Sequence, residues 1–88
     1  ANSEFHFDFG LALLDNHQPT AAAAQFAEEA RLTPDETKAH YRLAQALQQE
    51  EDFAGAVPQY REASRLTPDF PEAKESLNQI LAAHPELK

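Results

Sequence analysis

Four histidines, His6, His17, His40 and His84, are the side chains best suited to hold a metal or move a proton, and no cysteine joins them. Paired ligands on one helix face need a spacing of three or four residues, because only those positions line up along a 3.6-residue turn. No two of the four histidines lie at that spacing. His6 and His40 are instead equivalent residues of two repeated segments, which places them between packed helices rather than around an ion. No Ser or Thr has a base beside it in sequence, and the two glycines make no phosphate-cradling loop. The carboxylate pairs Glu28-Glu29 and Glu50-Glu51 fall at helix surfaces or turns, where solvation is the default. The residues therefore offer no catalytic constellation, and neither a cofactor nor a metal is expected.

The chain carries a net charge of -8, unevenly spread. Residues 1–36 hold seven acids against Arg31 alone, whereas residues 37–70 hold five acids and four bases. An acidic chain repels phosphate backbones, and no basic stripe offsets this, so nucleic acid is excluded as an expected partner. No apolar run approaches the ~18 residues that cross a bilayer, and no signal-peptide pattern opens the sequence, so no membrane partner is expected either. Nothing in the composition fixes a compartment.

Positioning falls to a repeat. Arg31-Leu32-Thr33-Pro34-Asp35 recurs letter for letter as Arg65-Leu66-Thr67-Pro68-Asp69, 34 residues later. The same offset relates Phe9 to Leu43, Gly10 to Ala44, Ala22 to Ala56, Gln25 to Gln59 and Phe26 to Tyr60. A fixed period of this length is the mark of stacked supersecondary units. Apolar residues at helical spacing predict helices over 3–16, 20–32, 37–50, 53–66 and 71–83. Thr20 is read as the cap of the second helix, and its Ala21–Ala24 run has the highest helix propensity available. Pro58 falls inside the fourth helix, where it removes a donor and crowds the preceding turn, so that helix is expected to start late or loosened. Pro71 suits the first position of the fifth helix, and His84-Pro85 stops it.

These residues resemble the tetratricopeptide repeat family, whose unit is a 34-residue helix-turn-helix. Leu43, Ala44, Leu47, Ala56, Tyr60, Ala63 and Pro68 sit where the family signature wants them. Phe9, Gly10, Leu13, Ala22, Phe26 and Pro34 do the same one unit earlier. His6 and His40 replace the signature Trp, and Glu29 stands where a small Ala is preferred, so packing there is expected to be looser or taken over by Ala30. The resemblance implies an all-α, right-handed superhelical stack with five helices in one domain spanning 1–88. Repeat one is 3–36, repeat two 37–70, the C-terminal capping helix 71–84 and a tail 85–88. The whole reads as the C-terminal repeats of a longer protein.

The resemblance also implies a non-enzymatic protein-protein interaction module, with the first helix of each unit lining a concave groove for a peptide or partner helix. That face comprises Phe7, Leu11 and Leu14 in the first unit, with Glu4, Asp8 and Asp15. In the second it comprises Lys38, Tyr41, Arg42 and Gln45, with Gln48 and Gln49. Glu72, Glu75, Ser76 and Gln79 continue it on the capping helix. Phe7, Leu11 and Leu14 make an apolar stripe beyond the one that enters the core, and contiguous exposed apolar surface marks an interface. The alternative is a self-association or stack-terminating element, with that stripe buried by upstream repeats or by a second copy in a homodimer. Lys38 and Arg42, one turn apart, are candidates for an anion contact. A full carboxylate clamp is disfavoured, because Phe7 and Leu11 stand where its other half needs Lys and Asn.

Overall fold

The computed structural model describes residues 18–88. These form four α-helices, α1 (Pro19–Leu32), α2 (Thr37–Gln49), α3 (Phe53–Leu66) and α4 (Pro71–Ala83), and a closing 3-10 turn at Pro85–Leu87. The helix expected over 3–16 lies outside the described residues. Each helix packs against the next in sequence, and the closing turn packs against α4, as connectors of three or four residues require.

Proline and carbonyl capping set the boundaries. Pro19 occupies the first turn of α1 and keeps Gln18 out of helical geometry. Thr20 does not cap this helix: the helix begins one residue before it, and its hydroxyl donates instead to Glu50 Oε2 at 2.8 Å. Thr33 ends α1, its amide and hydroxyl both donating to the Glu29 carbonyl at 2.9 Å. A turn then closes from the Glu36 amide to the Thr33 carbonyl at 3.0 Å, with Pro34 supplying the fixed φ at its first corner.

The end of α2 is a Schellman closure. The Asp52 amide donates to Leu47 O at 2.8 Å and the Glu51 amide to Gln48 O at 3.0 Å. Glu51 pays for it with a left-handed φ of 64°. Asp52 then caps α3 by accepting from the Gly55 amide at 3.0 Å. A Cβ at Gly55 would come 2.7 Å from Asp52 Oδ2, so a larger residue there makes the capping carboxylate shift.

Pro58 does not delay α3, which runs unbroken from Phe53. The carbonyl that loses its donor belongs to Ala54, and both Ala54 and Pro58 are exposed. The defect therefore faces water, which can replace the missing bond, and the buried face keeps its register. The tail is also more than an end. His84 stacks on Phe53 at 4.3 Å, and Leu87 packs on the core.

Two core clusters share α2. Leu43 and Ala46 meet Ala22, Ala23 and Phe26 of α1. Ala44 meets Ala56, Val57, Tyr60 and Ala63 of α3 with Ala73 and Ile80 of α4. Leu47 lies between and packs on both. Alanine dominates because small side chains let helix backbones approach, and the two large fully buried residues, Phe26 and Tyr60, fill equivalent places one period apart.

Candidate functional site

α2 is the most amphipathic of the described helices. Beside its buried residues it presents Arg42 and Gln45 as half-buried side chains and Tyr41, half-buried against the α3–α4 core, with Lys38 exposed one turn earlier. Three of these interlock. Arg42 Nη1 donates to Gln45 Oε1 at 2.7 Å, and Gln45 Nε2 donates to the Tyr41 hydroxyl at 3.3 Å. The Arg42 guanidinium also lies 5.4 Å from the centre of the Tyr41 ring, within cation–π range. The ring is held from behind, edge-on to Tyr60 at 5.9 Å and tilted against Phe70 at 4.8 Å. Spacing brings Tyr41, Arg42 and Gln45 together; Phe70, which fixes the ring, comes from a connector and carried no signal. Phe7, Leu11 and Leu14 lie outside the described residues.

Arg42 differs from the paired arginines. Arg31 and Arg65, one period apart, each bind a glutamate three residues earlier, Glu28 and Glu62, at the surface. Those hydrogen bonds raise both guanidinium pKa values and hold the Glu62 carboxyl below its usual range. Arg42 makes no ion pair among the described residues, and its Nε is buried without an acceptor. A buried donor left unmet costs about 1–3 kcal/mol.

Beside this face the Tyr60 hydroxyl donates to Gln48 Oε1 at 2.7 Å. Burial pushes the phenol up to about 12, partly offset by the hydroxyl of Ser76. Glu29 is 4 % exposed. Its Oε1 lies 3.3 Å from the Thr33 hydroxyl, whose one proton it shares with the nearer Glu29 carbonyl, and its Oε2 has no partner among the described residues. Ala30 does not take its place, being only half-buried.

The histidines behave structurally where described. His40 Nε2 lies 2.8 Å from the Pro34 carbonyl oxygen and Nδ1 lies 2.8 Å from Gln59 Oε1. The ring thus ties α2 to α3 and to the preceding turn. His84 sits 3.4 Å from Glu86. Among the described residues no group of three metal-ligating side chains occurs, and no helix is long and apolar enough to cross a membrane.

With a helix pair closed by Thr-Pro turns, small residues at every helix crossing and the period intact, the sequence profile of the tetratricopeptide repeat family matches residues 7–69. The chain belongs to that family. Tetratricopeptide repeats generally mediate protein-protein interaction and are generally not enzymes. No curated protein matches the chain.

Proposed function

We propose that the protein is a non-enzymatic interaction module that holds a peptide or partner helix on the face of α2 formed by Lys38, Tyr41, Arg42 and Gln45. The observation that carries this reading is Arg42: a guanidinium set in place by Gln45 and Tyr41, with unmet donor capacity and no carboxylate partner among the described residues. A partner bringing a carboxylate or carbonyl oxygen completes it, with a small turn of the side chain to bring Nε out. Phe7, Leu11 and Leu14 extend the surface as an apolar anchor. In this reading the tetratricopeptide units span 3–36 and 37–70 in a right-handed superhelical stack. α4 closes the stack, because exposed Lys74 and Asn78 stand where His40 and the buried Ala44 meet α3 one unit earlier.

The test is selection from a random peptide library, followed by titration of the selected peptides against the chain and its Arg42→Ala variant. Peptides carrying Asp, Glu or a free C-terminal carboxylate are expected. Arg42→Ala should keep its helical circular dichroism and lose about tenfold or more in affinity, since removing one partner of a desolvated charge pair costs about 2 kcal/mol upward. Unchanged affinity overturns the reading. Sedimentation equilibrium over a wide concentration range separates it from its rival: a dimer that dissociates with Leu11→Asp makes the apolar stripe a self-association surface instead.

A further inference from the structure

No further inference is drawn: the strongest candidate, the buried Glu29 carboxylate near the end of α1, leaves Oε2 without a hydrogen-bond partner, but no cation or second ligating group lies beside it among the described residues and nothing in the structure shows what would approach it.

Discussion

The seam between α1 and α2 and the seam between α3 and α4 are built from the same positions one period apart, yet they treat polar groups in opposite ways. In the second seam Tyr60 sends its hydroxyl out to Gln48 of α2, Ala63 is fully buried, and Ser76 of α4 lies near the phenol. One period earlier those positions are Phe26, Leu14, Glu29 and Arg42. Phe26 offers no hydroxyl, and among the described residues the two ionisable side chains each keep a buried atom without a partner, Glu29 Oε2 and Arg42 Nε. The other side-chain atom of the described residues that is buried without a partner, Ser64 Oγ of α3, belongs to a neutral hydroxyl, which is cheaper to bury than part of a charged group. The alanines at the crossings are common to both seams and set the backbone. The polar positions are where the units diverge, and the first seam gives up stability that the second retains.

That contrast is broken most severely by moving the acid. Ala63 is fully buried, so Ala63→Glu both overpacks the second seam and strands a charge, and should cost about 3 kcal/mol or more. The reciprocal change, Glu29→Ala, removes an unsatisfied oxygen, and Thr33 keeps its bond to the Glu29 backbone carbonyl. Its stability should stay level or rise by about 1 kcal/mol. Urea unfolding followed by circular dichroism measures both. A loss above about 2 kcal/mol for Glu29→Ala means the carboxylate is better satisfied than its geometry indicates, and the contrast between seams fails.

Much of this architecture was legible because the repeat and the prolines act locally. The four described helices begin and end within a residue or two of their expected bounds, as Thr-Pro connectors and 3.6-residue spacing dictate. Pro58 misled because a ring inside a helix harms only the carbonyl one turn back, and whether that carbonyl faces water is a property of packing. Thr20 misled in the same way: a hydroxyl near a helix start has a choice of acceptors, and Glu50 reaches it from another helix. Of the candidate face, Tyr41, Arg42 and Gln45 followed from the family resemblance, and helical spacing accounts for their meeting one another. The buried state of Arg42 Nε did not, because it depends on what neighbouring helices leave unsaid. Glu29 was visible as an oddity against Ala63, but the sequence pointed to looser packing rather than to a carboxylate enclosed.

A milder change sharpens the comparison at the aromatic position. Tyr60→Phe makes the second seam resemble the first by deleting the bond to Gln48, and should cost about 1 kcal/mol at neutral pH. The pH dependence identifies the hydroxyl. A free tyrosine titrates near 10, whereas burial holds Tyr60 up to about 12. Below pH 10 the proton is bound in folded and unfolded chains alike, and the stabilisation is complete. Between pH 10 and about 12 the unfolded chain releases its proton first, so stability falls as pH rises. Tyr60→Phe should lose less stability over that window than the parent chain, narrowing the difference. Parallel curves for the two proteins would mean that the phenol is exposed to solvent.

The smallest effect is expected where both seams are tied at the surface. Glu50 and His84, one period apart at the ends of α2 and α4, each reach back to the start of an earlier helix. Glu50 accepts from Thr20, and both residues are exposed, so water competes for each end of that bond. His84 instead stacks its ring on Phe53, and both are half-buried. Thr20→Val should therefore change stability by no more than about 0.5 kcal/mol, while His84→Ala should cost about 0.5–1.5 kcal/mol through lost ring contact. Thermal unfolding of the two variants side by side decides it. If Thr20→Val proves the costlier, the hydroxyl bond is holding α1 against α2, and the first seam leans on its rim to offset the polar atoms left unmet inside.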